Sequence, residues 1–206
     1  MNQLSRREQN RLERQERILS AAITVFAREG YFGASMDGIA SEAGLTKPTL
    51  YSYFASKDAL FTAMMAAPRD EMMLAFDGAN EGELVAQFLD FAWAYAETVM
   101  RPEFLSLARL IIGEAHRFPQ VGRAYQASGP DGVLEGLMGF MAHQRVQGRL
   151  AFEDAELAAE DFWGLILSAP RNRALHVPDE QINRAEIARY IHNGVRVFLR
   201  AYSTDV

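Results

Sequence analysis

The sequence predicts an all-α fold in which an N-terminal three-helix unit, containing a helix-turn-helix, joins a larger C-terminal helical bundle. Along most of the chain, apolar residues recur at intervals of three and four, which is the period of an amphipathic helix. No segment alternates apolar and polar residues with the two-residue period of a strand. Residues 35–57 contain two short helical patterns separated by a tight turn.

The composition restricts the possible classes of function. Of the 206 residues 49% are hydrophobic, which is ample for a packed core. Cysteine is absent, which excludes disulfides, thiol catalysis and thiolate metal sites. No apolar run approaches the roughly 18 residues of a membrane helix, and residues 1–17 lack the apolar core of a signal peptide. We therefore expect a cytoplasmic protein with no membrane partner.

The charges are unevenly distributed along the chain. The net charge is −6, yet residues 1–64 carry eight basic and seven acidic side chains. Both lysines of the chain, Lys47 and Lys57, fall in the helix-turn-helix region. A local basic surface is what phosphate binding requires, whereas an acidic remainder limits non-specific association.

The N-terminal region is expected to hold an arm and one long helix. Residues 1–12 are predicted to be a flexible basic arm, which either reaches into a minor groove or is simply solvated. A helix is expected from about residue 11 to residue 29, and Gly30 would end it. Its apolar stripe consists of Leu12, Ile18, Leu19, Ala22, Val25 and Phe26.

The first short helix of the helix-turn-helix has clear start and stop signals. Ser35 stands where an N-cap belongs, and Asp37 lies in the first turn, where a negative charge is favourable. Gly44 is suited to the left-handed residue that ends a helix.

The second short helix is expected to be polar on one side. Thr46 would cap it, with Pro48 in its first turn. Leu50 and Phe54, four residues apart, would anchor it, while Tyr51 and its polar neighbours lie on the opposite face. Hydroxyls, tyrosines and lysines at such a helix suit contact with phosphates and base edges in a major groove.

Residues 46–60, with the sequence TKPTLYSYFASKDAL, resemble the signature of the TetR/AcrR family of bacterial transcriptional regulators. Upstream, residues 18–22, Phe26 and Gly30-Tyr31 match the first helix of that family and its end, so the resemblance covers roughly residues 13–73. Pro48 stands where many members carry glycine. Residues 107–118 and 148–165 are similar to the C-terminal region of an AefR-like subgroup.

The resemblance implies a homodimer that binds a palindromic double-stranded DNA operator, most simply a repressor released by a small apolar or amphipathic effector. It implies a DNA-binding unit over residues 13–73 and a ligand-binding and dimerisation domain over residues 74–206. Lys47 and Thr49 are expected to read bases, while Tyr51, Tyr53 and Lys57 would contact phosphates. The candidate DNA-binding residues are Ser35, Thr46, Lys47, Pro48, Thr49, Tyr51, Ser52, Tyr53 and Lys57.

After the DNA-binding region the chain is predicted to be helical throughout. A linking helix would begin near Ser56, kink or break near residues 66–67 because of Pro68, and end near Gly78. Further helices are expected over residues 83–100, 102–117, 119–127, 131–147, 154–168 and 183–202. The connection between the last two would run from Pro170 to Pro178.

The aromatic and apolar residues of this bundle allow two interpretations. They either pack the core or line an effector pocket, for which the candidates are Phe88, Phe91, Phe104, Arg109, Met138 and Trp163. The last two helices have apolar residues on more than one side, so they either dock on the body or on a second copy. The resemblance favours the second copy, with an interface made of Phe162, Ile166, Ile187, Ile191, Gly194, Val195, Phe198 and Tyr202.

Other functional classes find little support in the sequence. The four histidines are far apart and lack metal-ligand spacing, and neither a phosphate-binding glycine loop nor a nucleophile elbow occurs. No cofactor and no catalytic residue is therefore expected. An enzyme or ligand carrier built on the C-terminal bundle remains the alternative class, and an activator is the alternative to a repressor.

Overall fold

The computed structural model describes residues 5–73, 83–180 and 183–204, with side chains in these ranges except for residues 67–73 and 128. In this part of the chain there are ten α-helices and no β-strand, which confirms the all-α prediction. No described helix has the length and apolar character needed to traverse a lipid bilayer. The helices are α1 (Arg6–Gly33), α2 (Met36–Glu42), α3 (Lys47–Tyr53), α4 (Lys57–Met73), α5 (Leu84–Val99), α6 (Pro102–Ala115), α7 (Pro119–Ser128), α8 (Pro130–Val146), α9 (Ala155–His176) and α10 (Arg184–Tyr202).

Helix α1 begins earlier than predicted. Ser5 is its N-cap and accepts a hydrogen bond from the backbone N–H of Glu8, while the Glu8 carboxylate accepts one from the backbone N–H of Ser5. This reciprocal capping box satisfies two helix-terminal donors at once. Residues 6–12 are therefore helical, and the predicted arm is wrong for them. Residues 1–4 of that arm lie outside the described residues.

Gly30 ends the regular part of α1, as predicted. Its φ of 78° and ψ of 165° lie in a region that is essentially restricted to glycine, and residues 31–33 form a further helical turn beyond it. The chain can therefore change direction here and bring Tyr31 back over the core of this region.

Two prolines do not interrupt helices where the sequence suggested that they would. Helix α4 continues through Pro68 to Met73, so a break near residues 66–67 is wrong, while a kink there stays a prediction. Helix α9 continues through Pro170 to His176, so the predicted connection from Pro170 is wrong. The predicted end of the linking helix, at Gly78, lies outside the described residues. Proline in a helix costs roughly 3 kcal/mol. In α9 this cost is offset by the burial of Ala174 and Leu175, in the turn after the proline.

The described residues form two compact units. One unit holds the described residues up to 67 together with residues 106–128, and the other holds the remainder of the described chain. This division differs from the predicted boundary after residue 73, because most of α6 and all of α7 group with the N-terminal helices. In that unit Phe118 packs on Phe32, with ring centroids 3.9 Å apart, and Leu110 lies against Gly30.

The core of the first unit joins α1 to α4. Phe26 and Phe61 are fully buried and meet edge to face, with centroids 5.6 Å apart, and Tyr31 packs on both rings. Leu50 of α3 and Ile39 of α2 are also fully buried. These contacts fix the short helices α2 and α3 against the longer ones.

The core of the second unit lies among α5, α8, α9 and α10. Phe88 is its centre, because its ring contacts those of Phe140, Phe162 and Phe198 at centroid distances of 5.4, 4.8 and 5.1 Å. The Tyr202 hydroxyl donates to Asp161 at 2.6 Å, which connects α10 to α9 and raises the pKa of Tyr202.

The residues predicted for a dimer interface lie mostly in this core. Gly194 is buried, and five further members of the predicted set are at most 2% exposed within their own chain: Phe162, Ile166, Ile191, Val195 and Phe198. Ile187 and Tyr202 are half-buried and pack against the same core. The set therefore joins α9 to α10 within one chain, and the interface prediction is wrong for the six buried residues. For Ile187 and Tyr202 it stays a prediction. The apolar period correctly indicated that α10 has a buried face. It could not indicate whether that face is covered by the same chain or by a second copy.

Gly194 allows α10 to approach α9 closely. A Cβ added at Gly194 would lie 2.8 Å from the carbonyl oxygen of Leu165 and 3.0 Å from the Cα of Ile166. Both are backbone atoms that cannot move aside without shifting the helix.

We expect Gly194→Ala to lower the free energy of unfolding by about 1–3 kcal/mol, because overpacking at a helix contact forces a backbone shift. Gly139→Ala is the matched control, since a Cβ at this helical position meets no atom within 4 Å. The control should be neutral or slightly stabilising, as alanine favours a helix over glycine. Denaturant unfolding followed by circular dichroism measures both, and equal stability of the two variants would contradict the close approach.

Candidate nucleic-acid interface

The turn between α2 and α3 has the hydrogen bonds expected of a helix-turn-helix. Ser35 caps α2 by accepting from the Gly38 N–H at 3.0 Å. Gly44 has a φ of 64°, and the Leu45 N–H donates to the Ala40 carbonyl at 2.8 Å. Together with the bond from Gly44 N–H to Ser41, this is a Schellman ending, which satisfies carbonyls at the end of α2. The predicted start and stop of α2 are confirmed.

Helix α3 buries one side and exposes the other. Leu50 is fully buried and Phe54, its C-cap, is 8% exposed, whereas Tyr51 is 43% exposed. Lys47, Pro48 and Ser52 are also exposed, while Thr49 and Tyr53 are half-buried. The orientation of α3 is therefore the one that the sequence predicted.

Thr46 occupies the N-cap position of α3 but does not cap it with its side chain. No backbone N–H donates to its hydroxyl. Instead its Oγ1 lies 2.8 Å from the Oγ1 of Thr49, and the two hydroxyls share a hydrogen bond. The capping prediction is wrong in this respect, because a hydroxyl one turn along the helix provides a competing partner. The N–H groups at the start of α3 remain available to an external acceptor such as phosphate.

Lys47 forms an ion pair that the sequence analysis did not identify. Its Nζ lies 2.8 Å from Oδ1 and 3.0 Å from Oδ2 of Asp37, and the hydrogen bond raises the pKa of Lys47. Both side chains are more than half exposed. Such a pair is weak, so it leaves Lys47 able to exchange Asp37 for another anion. Asp37 lies ten residues before Lys47, and only the folded turn brings them together.

Lys57 is bound within the protein to a greater extent than predicted. Its Nζ donates to the carbonyl oxygens of Tyr31 at 2.6 Å and Ala34 at 3.0 Å, and it lies 4.7 Å from the centroid of the Tyr31 ring. Burial lowers the pKa of Lys57. An ammonium has three protons, so at most one remains for a phosphate while these two bonds hold.

A second bond at the same place secures the start of α4. The Tyr31 hydroxyl donates to the carboxylate of Asp58, next to Lys57. Tyr31 thus interacts with α4 through its ring, its hydroxyl and its carbonyl oxygen. No single residue type signals this arrangement in the sequence, because the partners lie 26 and 27 residues apart.

Eight of the nine predicted DNA-contact residues lie in the helix-turn-helix, with Ser35 at the start of α2 and seven on or beside α3, whereas Lys57 opens α4. Whether each one touches DNA remains a prediction. Asp37 belongs to the same surface and was missed as a member of it. Its only signal in the sequence was its place in the first turn of α2.

The structure places the six predicted pocket residues in different surroundings, and their role in a pocket stays a prediction. Phe88 and Phe91 are at most 1% exposed and belong to the aromatic core, and Trp163 packs edge to face on Tyr95. Met138 packs against the same core, Phe104 lies near Arg101, and Arg109 donates to the Ser106 hydroxyl at 3.1 Å. The burial of Phe88 and Phe91 thus supports core packing for these two residues.

Comparison with protein families identifies two matches along the chain. Residues 18–64 match the model of the bacterial regulatory proteins of the tetR family. Residues 86–204 match that of the AefR-like transcriptional repressor C-terminal domain.

A curated protein with a similar sequence is also a helix-turn-helix transcriptional regulator. The chain is 44% identical over 70 residues to the transcriptional activator FasR of Mycolicibacterium smegmatis, which is 32% of each protein. The matched parts of the chain span between about a sixth and about a half of the length of the curated relatives.

Two solved structures are similar over nearly their full length. A protein assigned to the TetR family from Mesorhizobium loti has a TM-score of 0.77 at 29% identity, covering 94% of this chain and 98% of the other. The flavonoid-responsive regulator FrrA has a TM-score of 0.69 at 28% identity, with coverages of 94% and 99%.

The two lysines permit a matched test of their roles in the free protein. We expect Lys57→Met to lower the free energy of unfolding by about 1–2 kcal/mol, because the two carbonyl oxygens lose a charged donor. Lys47→Met should change it by less than about 0.5 kcal/mol, since its ion pair is exposed. Denaturant titration of both variants measures the difference. Unchanged stability of Lys57→Met would mean that these carbonyls need no ammonium.

Proposed function

This chain belongs to the TetR family of bacterial transcriptional regulators, and we propose that it works as a homodimeric repressor that leaves its operator when a small effector binds. The family and its members FasR and FrrA are regulators rather than enzymes. The observation that carries the proposal is the exposed side of α3, whose opposite side is anchored by Leu50.

The exposed side of α3 suits insertion into a major groove. Lys47, at the N-terminal end of the helix, is the candidate base reader, and Thr49 stands beside it. The helix N-terminus has no side-chain cap, so its N–H groups can donate to a phosphate. In a dimer, two such helices about 34 Å apart would read the half-sites of a palindrome.

The direction of regulation is proposed from the family model. The matched C-terminal model is that of a repressor, whereas the relative FasR is an activator. We favour repression because the repressor model covers residues 86–204, more of the chain than the FasR match does. A promoter fusion in cells with and without the protein separates the two, since an activator would raise expression.

The effector part of the proposal draws support from FrrA, which is described as flavonoid-responsive. Physically, an effector can release DNA only if it binds the DNA-free arrangement of the dimer more tightly than the DNA-bound one. Titrating an operator complex with a library of apolar compounds tests this. Tight binders that never release DNA would contradict it.

For the dimer we propose the outward faces of α9 and α10 in place of the buried set. Leu157 is 59% exposed and Val197 36% exposed, and both are large apolar side chains. Gly164 and Ala201 are exposed and small, which permits close helix approach. The Ser168 hydroxyl already donates to the Gly164 carbonyl, so it presents little unsatisfied polarity.

The DNA-binding proposal is tested by changing the Asp37–Lys47 pair in opposite directions. Lys47→Ala should weaken binding to a DNA duplex taken from the region upstream of the gene that encodes this chain. The expected loss is about tenfold, the low end of what a base contact contributes. Asp37→Asn should strengthen binding to this duplex and to a random one, because it removes a negative charge beside the phosphates and releases Lys47. Glu42→Gln, which removes another exposed carboxylate of α2, is the control, with a smaller effect expected.

Gel-shift titration at several salt concentrations measures these affinities. Asp37→Asn should also make the dependence on salt steeper, as one more phosphate contact forms. If the wild type binds neither duplex, or if Asp37→Asn weakens binding, the assignment of this surface is incorrect.

The dimer face is tested by Val197→Glu. A carboxylate in an apolar interface lacks a partner, so we expect dissociation to monomers and loss of high-affinity operator binding. Val146→Glu is the control, because Val146 is 83% exposed at the end of α8, a helix that is not part of the proposed face. Sedimentation velocity measures the oligomeric state. A Val197→Glu protein that stays dimeric would show that the interface lies elsewhere.

A further inference from the structure

A cavity of about 550 Å³ lies between the start of α5, one face of α10 and the turn after α8, all within the second unit. Its volume falls in the range of roughly 300–1,000 Å³ that is usual for small-molecule sites. It includes none of the residues predicted to line an effector pocket. It is a groove, open to solvent along one side.

The floor of this groove is apolar. Leu84, Val85 and Leu89 of α5 face Val195 and Leu199 of α10 across it. Val195 is 2% exposed, whereas Val85 is 47% exposed, so the apolar surface continues from the core out to the rim. An apolar chain lying here would remove Val85 from water.

The rim of the groove is cationic. Arg196 and Arg200 are four residues apart on α10 and so project from the same side of the helix. Arg149 joins them from the turn after α8, where its carbonyl oxygen accepts from the Thr204 N–H at 3.2 Å. Among the described residues that line the groove, Glu83 is the single acidic side chain against three arginines, so positive charge predominates there.

Two of these arginines lack an acidic partner. Arg196 donates to the neutral amide of Asn193 at 2.6 Å, and among the described residues neither Arg196 nor Arg200 pairs with a carboxylate. Arg184 on the same helix differs, since it pairs with Glu97 at 2.6 Å. Among the described residues, the guanidinium groups of Arg196 and Arg200 are therefore not neutralised by a carboxylate.

We propose that this groove binds an amphiphile with one carboxylate headgroup and an apolar tail. Arginine binds carboxylates through paired, charge-assisted hydrogen bonds, which are stronger than neutral ones. The tail would lie along the floor formed by α5 and α10. A neutral amphiphile would gain only the burial of its tail on the apolar floor. A cationic amphiphile would be repelled by the arginines at the rim.

Binding in the groove goes beyond the proposed function and does not depend on it. The groove lies entirely within the second unit, and its occupancy can be measured without DNA. A failure to bind the amphiphile would therefore leave the DNA-binding proposal untouched.

Isothermal titration of the full chain with decanoate is the direct experiment. Saturable binding is expected, whereas decanol should bind more weakly and decyltrimethylammonium should not bind measurably. Arg196→Gln should weaken decanoate binding about tenfold, which corresponds to about 1.4 kcal/mol. Arg189→Gln is the matched control, because it removes one exposed arginine of α10 that does not line the groove, and it should leave the affinity unchanged.

A second variant tests the apolar floor. Val85→Ser replaces an exposed side chain, so it should fold normally, and it is expected to weaken decanoate binding several-fold. No saturable decanoate binding by the wild type would overturn the proposal. Equal affinity for decanoate and decyltrimethylammonium would do the same, as would equal effects of the Arg196 and Arg189 variants.

Discussion

The anchoring of α3 by Leu50 is the constraint on which the candidate DNA-binding surface depends. Helix α3 spans Lys47–Tyr53, only two turns, and a helix this short is not stable alone in water. Its persistence and its orientation therefore come from packing. Leu50 is fully buried and Phe54 nearly so, which leaves the polar residues no alternative but to face outward.

The position of α3 depends in turn on how α4 joins α1. Phe26, Tyr31 and Phe61 form one aromatic cluster, and Lys57 donates to carbonyl oxygens just beyond the end of the regular part of α1. Gly30 makes this possible, because its backbone conformation turns the chain so that Tyr31 reaches back over the core. Lys57, near the candidate DNA-binding helix, thus contributes to the scaffold as well as to the local charge.

The parts of the fold that could be predicted from the sequence are those with local signals. A helix cap or a helix end depends on the backbone of only a few neighbouring residues. The predicted roles of Ser35, Gly44 and Gly30 are of this kind, and all three are confirmed. The start of α1 also has a local signal, the capping box of Ser5 and Glu8. The predicted start rested on apolar periodicity and did not use this signal. Period alone cannot detect a polar helical extension. The other features that the sequence did not reveal depend on tertiary contacts. Burial of the residues after Pro170 keeps α9 continuous. The Asp37–Lys47 ion pair joins two different helices, and no spacing rule connects its members.

Helix α10 shows how one helix can serve several surfaces when its faces are chemically distinct. Its apolar period marked a buried face correctly, yet the sequence could not distinguish burial against α9 from burial against a second copy. Phe198 points into the core, Val197 is exposed on a neighbouring face, and Arg196 lies on the rim of the groove toward α5. Successive residues of a helix are about 100° apart, so three adjacent positions can face three different surroundings. Because Arg196 and Val197 lie on different faces, a ligand in the groove need not compete with a second copy for the same atoms. A rotation of α10 would nevertheless move both faces together, which gives occupancy of the groove a physical route to the dimer geometry.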